Sequence, residues 1–358
     1  MTAMPEGNAI IYCQDAFLTT NGKTAHGLVR RTSRYNVVAV VDSSCAGMDA
    51  GELIDKRSRG IPICSTIKEA YDYSNKRKMT ATHLIVGLAP DGGHLDPKHR
   101  TELIEGIKLG LNLDSGLHDF LSEDGEMSSI AKKKGIKIRD IRKPPSRSAL
   151  HFFSGKIEQV DSLKVALLGT DSAVGKRTTA WLLLDALVKA GHTAEMVGTG
   201  QTAWMQGATY SIIFDSLVND FVTGEIEHAV WSTWNEVRPQ VIILEGQGSL
   251  MNPAYPGGFE ILAAGRPDAV IVQHAPARRE YDGFPGYPLH PIDIQIQAIE
   301  LISGKPVIAV TVNHEKLNEE ETRSACAEIT KTTGLPAVDV MRDGAESLVQ
   351  ILKPLVDK

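Results

Sequence analysis

The sequence predicts an α/β protein built of two parallel-sheet domains, and three observations carry that prediction. Apolar runs rich in β-branched residues recur at 37–41, 165–168, 241–244, 268–272 and 307–312, the pattern of strands buried on both faces. Stretches of helical spacing separate them, which indicates βαβ units with right-handed crossovers. The third observation is length, because 358 residues exceed the roughly 250 that one core encloses. Domains are expected at 1–150 and 151–358. The basic, proline-containing stretch Arg142-Lys-Pro-Pro-Ser-Arg147 marks a stiff connector between them.

In the first half the spacing predicts strands at 9–12, 37–41, 61–63 and 83–86 and a last one at 136–141. Helices are expected up to about Arg31, from about Thr66, and over 97–111, where Asp96 suits the cap and Pro97 the first turn. Residues 127–137 read as a polar, basic segment. The order is Rossmann-like, but no GxGxxG follows the first strand, so dinucleotide binding in the usual manner is not expected. Asp42, Ser43, Gly87, Pro90, Asp91 and Gly92 would line the crevice at the carboxyl ends of these strands.

The second half opens on a strand, a loop and a helix. An apolar run to Leu168 enters Gly169, Thr170, Asp171, Ser172, Ala173, Val174, Gly175, Lys176, Arg177 and Thr178, and small and apolar residues then alternate at helical spacing. Such a loop is a phosphate cradle in a P-loop NTPase-like domain: backbone N–H groups, the helix dipole and a lysine ammonium converge on anionic oxygens. The usual pattern sets four residues between the glycines and a hydroxyl after the lysine. Here five residues intervene and Arg177 stands at the hydroxyl position. Either Thr178 or Thr179 supplies a magnesium hydroxyl after a one-residue shift, or Arg177 replaces the metal's charge.

Around this loop the strand ends carry chemistry. The strand 193–197 runs into a turn with Gln201, Thr202 and Gln206, able to bond a polar substrate at the sheet rim. The strand 241–244 closes on Glu245 and Gly246-Gln247-Gly248, and an acid there polarises a nucleophile or holds a metal. The strand 268–272 delivers His274, a candidate acid or base, and Arg278 or Arg279, suited to a two-pronged grip on a carboxylate. Asn313 ends the strand 307–312, where an amide can meet a nucleobase edge, and the proline-rich 281–291 reads as a substrate-site wall. Asp215–Phe221 and 225–237 read as separate helical stretches, Trp231 and Trp234 sharing a face of the second.

Net charge of −6 provides no basic field for nucleic acid. No apolar run reaches about 18 residues and no signal segment opens the chain, so a cytoplasmic protein without a membrane partner is expected. Cys13, Cys45, Cys64 and Cys326 are scattered, which argues against structural zinc, and no metal ligands are expected.

The loop Gly169-Thr-Asp-Ser-Ala-Val-Gly-Lys176 resembles the Gly-Thr-Asp-Thr-x-Val-Gly-Lys-Thr loop of dethiobiotin synthetase, Arg177 being a departure. Together with Thr199-Gly-Gln-Thr-Ala-Trp204, Glu245-Gly-Gln-Gly-Ser-Leu250, Gln273-His-Ala-Pro276 and the proline-rich loop, it is similar over essentially the whole chain to a bacterial family long labelled a domain of unknown function. Members of that family have been assigned as D-glutamate N-acetyltransferases. The resemblance implies a homo-oligomeric acyltransferase of D-amino-acid breakdown, with acetyl-coenzyme A on residues 169–178 and Asn313. By their chemistry and place, and not from the resemblance, Glu245, His274 or Asp171 would be catalytic, with Gln201, Thr202, Gln247, Arg278 and Arg279 on the substrate and backbone N–H groups of Gly246 to Gly248 on the oxyanion. The competing expectation is a kinase or ligase using ATP with Mg2+ on a small carboxylate or amine. A third is a nucleotide- or coenzyme A-sensing protein without turnover.

Overall fold

Ala9, Ile10, Ile11 and Tyr12 are fully enclosed, and the strand they form lies near the middle of the first of two parallel sheets. The computed structural model describes residues 4–357. It divides into one compact unit reaching to Pro145 and including Gln201–Ala208, and a second made of Ser146–Gly200 and the chain from Thr209. Each has its own apolar core.

In the first unit β1 (Gly7–Tyr12), β2 (Tyr35–Val41), β3 (Ile63–Cys64), β4 (His83–Val86), β5 (Asn112–Ser115) and β6 (Ile138–Asp140) pair in parallel in the order 3-2-1-4-5-6, the dinucleotide-fold order. Helices α1 (Lys23–Arg30), α2 (Ala50–Asp55), α3 (Ile67–Lys76), α4 (Pro97–Lys108) and α5 (Gly125–Lys134) connect them. Thr66 and Asp96 cap α3 and α4 by accepting the backbone N–H groups of Glu69 and His99. Three elements escaped the sequence reading, the first being the short helix α2, capped by Asp49, which accepts the Glu52 N–H. The polar 127–137 segment is mostly the helix α5, capped by Asp124 and ended by Gly135; its buried face is a narrow stripe of Met127 and Ala131, too thin to register as periodicity. Asn-Leu-Asp-Ser of β5 is too polar to register as a strand, yet Asp114 is fully buried, with Tyr35 Oη and Arg139 Nη2 each donating to it at 2.6 Å.

The expected crevice is largely self-occupied. The Asp42 carboxylate, at the end of β2, accepts the N–H groups of Phe17 and Ser44 at 2.9 Å, and Phe17 is fully buried. Gly87 is buried, Pro90 half-buried and Gly92 exposed; the side chain of Asp91 lies outside the described residues.

The second unit contains β7 (Leu163–Gly169), α6 (Lys176–Lys189), β8 (Ala194–Gly198), β9 (Tyr210–Ser211), α8 (Asn219–Val237), β10 (Val241–Glu245), α9 (Phe259–Ala264), β11 (Ala269–His274), α10 (Ile292–Ser303), β12 (Val307–Val312), α11 (Glu319–Thr333), β13 (Ala337–Val338), α12 (Val340–Asp343) and α13 (Glu346–Val356). Its parallel sheet runs 13-12-11-7-10-8-9, so β7 is flanked by β10 and β11. The two helical stretches expected around 215–237 are a short 3-10 turn and one long helix, which continues through Gly224.

One segment departs from its expected place. Gln201–Gln206 forms a helix, α7, that belongs to the first unit. Met205 joins the first core, Trp204 packs against that core and under the Arg34 guanidinium at 3.8 Å, and Gln206 Nε2 donates to the Gly27 carbonyl at 2.8 Å. Burial of these large apolar residues decides the placement, a term invisible in local spacing.

Candidate functional site

The loop after β7 turns sharply because Ala173 (φ +51°) and Gly175 (φ +104°) both take left-handed backbone, costly for the alanine and natural for the glycine. Gly175 is the N-cap of α6, and no side chain caps that end. The first N–H groups of a helix lack partners within it, so they and the helix dipole face the loop's concavity. Lys176 is buried there, its Nζ donating to the carbonyls of Asp171 and Gly248, both at 2.7 Å. Gly248 takes left-handed backbone (φ +45°) against the Tyr255 turn, where a Cβ would lie 1.9 Å from the Tyr255 carbonyl oxygen. Burial lowers the Lys176 ammonium to about 8, against the opposing pull of Asp171 and Glu245.

Asp171 is fully buried and collects hydrogen bonds from three parts of the chain. Asn252 Nδ2, Arg278 Nη1 and the Asp282 N–H each donate to it at 2.9 Å. Its carboxylate therefore holds loops together and has few lone pairs left for proton transfer. Arg278 also donates to the Ser172 carbonyl and to Glu315, each at 2.8 Å, so its fork is engaged within the protein. Arg279 is exposed.

Glu245 ends β10 and is buried. Its Oε2 accepts the Thr199 N–H at 2.9 Å, and Thr199 Oγ1 in turn accepts from Gln247 Nε2 at 2.8 Å. Burial raises the Glu245 carboxyl above its ordinary value, opposed by Arg177, the Thr199 N–H and Lys176. His274 ends β11, with Nδ1 2.9 Å from Thr170 Oγ1. Burial, helped by Arg278, lowers it to about 4, so it is neutral at pH 7. Gly246 N–H donates to the Leu167 carbonyl at 3.0 Å, which removes it from the expected oxyanion donors.

The structure thus gathers Gly169 to Thr178, Glu245, Gln247, His274, Arg278 and Asn313 around one loop. Ser172, Arg177 and Thr178 are half-buried, Ala173 exposed and Val174 buried. Thr179 donates its hydroxyl to Gln273, leaving Thr178 as the hydroxyl nearer the usual metal position. Asn313 braces the loop: Nδ2 donates to the Val174 carbonyl at 2.9 Å and Oδ1 accepts the Glu315 N–H at 3.0 Å. Gln201 and Thr202 lie in the first unit, Gln201 against Gly116 and Thr202 with its hydroxyl 3.1 Å from that of Thr24. Sequence reasoning missed Asn252, Asp282, Glu315 and Gln273. Only Gln273 carried a signal, a polar residue late in a buried strand, as Glu245 is. Among the described residues no group of three or more His, Cys, Asp or Glu side chains could hold a metal ion, and no helix is long and apolar enough to cross a membrane.

Known proteins place this arrangement. Residues 151–349 match the P-loop domain, and residues 43–144 the Rossmann-like domain, of a family described as a domain of unknown function, DUF1611. The chain is 30% identical over 303 residues to a protein of Pseudoalteromonas sp. named D-glutamate N-acetyltransferase, covering 82% of this chain and 85% of that one. It is also 30% identical over 279 residues to one of the same name from Tritonibacter scottomollicae, covering 76% and 81%. The crystal structure of a DUF1611 family protein from Anabaena variabilis superposes with a TM-score of 0.89 at 27% identity, over 98% of this chain and all of that one. Matched along most of its length and in both α/β parts, this chain belongs to the DUF1611 family.

Proposed function

We propose that this chain is an N-acetyltransferase that moves the acetyl group of acetyl-coenzyme A to the amino group of D-glutamate. The observation that carries the reading is its likeness, over more than three quarters of its length, to two proteins of that name. The site supports it. Coenzyme A offers phosphates, and the uncapped start of α6 with Lys176 and Arg177 beside it is built for anions. The position that holds the magnesium hydroxyl in ATP-using loops is Arg177, and Thr179 is turned to Gln273.

In this reading Glu245 takes a proton from the substrate ammonium. Its burial makes it a stronger base than an ordinary carboxylate, whereas the neutral, acid-shifted His274 is weaker than an ordinary imidazole. The freed amine attacks the thioester carbon, the carbon–sulfur bond breaks, and the departing thiolate takes the second proton, which the nitrogen gives up as the amide forms. The chain's part is to orient donor and acceptor and to hold the first proton, from the substrate ammonium, at the Glu245 carboxylate until water takes it. His274, bonded to Thr170, sets the loop's first turn.

The test is release of free thiol from acetyl-coenzyme A with D- or L-glutamate, with and without magnesium. Release requiring D-glutamate and not magnesium is the expected result. Magnesium-dependent ATP turnover, with no thiol release from either enantiomer, overturns the proposal in favour of a kinase or ligase.

A further inference from the structure

A cavity of about 310 Å³ opens between Met251 and Pro253 on one side and the proline-rich 281–291 segment on the other. It adjoins the anion cradle: Met251 precedes Asn252 and Tyr281 precedes Asp282, and both Asn252 and Asp282 hold Asp171 of the loop. The segment is closed on itself, with the Tyr281 N–H donating to the Tyr287 carbonyl and the Leu289 N–H to the Arg279 carbonyl. Phe284 packs edge-on against both Tyr255 and Tyr287, so this wall is preformed. Among the lining residues there is no lysine or arginine; the polar groups are the Tyr281 hydroxyl, 2.8 Å from His290 Nδ1, and the hydroxyl of the exposed Tyr287.

We propose that this cavity takes the uncharged pantetheine arm of coenzyme A while the phosphates rest on the start of α6, an inference that rests on the coenzyme A reading above. The volume lies at the lower end of the roughly 300–1,000 Å³ usual for ligand sites, suited to part of a ligand. An acceptor with two carboxylates finds no lysine or arginine in this lining to grip its charges. A slender chain with amides does fit: its methylenes lie on Met251, Leu289 and Tyr287, and an amide meets the Tyr281–His290 pair.

The experiment compares calorimetric binding of coenzyme A and of the arm-less adenosine 3′,5′-bisphosphate, and thiol-release kinetics, for the wild-type protein, Leu289→Trp and Met251→Trp, which fill the cavity from opposite walls. In the wild type the arm should strengthen binding, and either variant should raise the KM for acetyl-coenzyme A by roughly tenfold or more. The affinity for the arm-less nucleotide and the KM for D-glutamate should stay unchanged; intact nucleotide binding also reports that each variant is folded. Wild-type turnover with an unaltered acetyl-coenzyme A KM in both variants, or a rise confined to the D-glutamate KM, overturns the cavity assignment alone. A wild type that binds neither ligand and releases no thiol overturns the coenzyme A reading and this inference with it.

Discussion

Both units send an inner strand into a loop and then a helix, at the place where parallel sheets bind ligands, yet the two loops do opposite things. After β1 the loop folds Phe17 inward until it is fully buried, and its N–H satisfies Asp42. After β7 the loop carries small residues, keeps Ala173 exposed, and leaves the start of α6 uncapped. Topology provides a crevice in each sheet, and loop composition decides whether protein or ligand fills it.

The comparison can be broken at its strongest point by Phe17→Ala. Emptying a fully enclosed aromatic site should cost the first unit about 3–5 kcal/mol in urea unfolding while leaving coenzyme A affinity intact. A loss below about 1 kcal/mol would mean the plug is not packed as described. Lys176→Ala tests the other loop. Removing the buried ammonium should weaken coenzyme A binding by about a hundredfold in calorimetry, the order of a charge-assisted hydrogen bond. Unchanged affinity would remove the cradle.

The smallest effect is that of pH. Burial lowers the Lys176 ammonium from 10.5 to about 8, so between these values the unfolded chain binds more protons than the folded one and stability rises with pH. Anion binding has the opposite sense, because phosphate favours the charged form. Affinity for adenosine 3′,5′-bisphosphate should be full below about pH 7 and fall about tenfold between pH 7 and pH 9. A profile flat to pH 10 would show an ordinary, solvated lysine.

Much of this molecule is legible without coordinates. The strands at 37–41, 241–244 and 307–312 announce themselves because burial on both faces demands unbroken apolar runs, and the cradle does so because glycine and lysine spacing follows from phosphate geometry. Glu245 and His274 were legible for the same reason, each ending such a run. What was hidden depends on distant partners. β5 can bury its acid because Tyr35 donates a hydrogen bond to Asp114 and Arg139 pairs its charge, and α7 lies in the first unit because Trp204 and Met205 find their apolar surroundings there. Arg278 looked like a substrate clamp and is engaged by Asp171 and Glu315, a pairing across more than a hundred residues in one case. Asn252 and Asp282 carry no local mark at all.

The convergence on Asp171 has a kinetic meaning. Three segments, the loop before α6, the stretch around Asn252 and the stretch from Arg278 to Asp282, meet at a single buried carboxylate. None of them can lift away without leaving a charge or a donor unpaired inside the protein. They are therefore expected to open as one cooperative unit, which hydrogen exchange would show as a common opening rate for their slowest amides, where independent rates would separate the three segments.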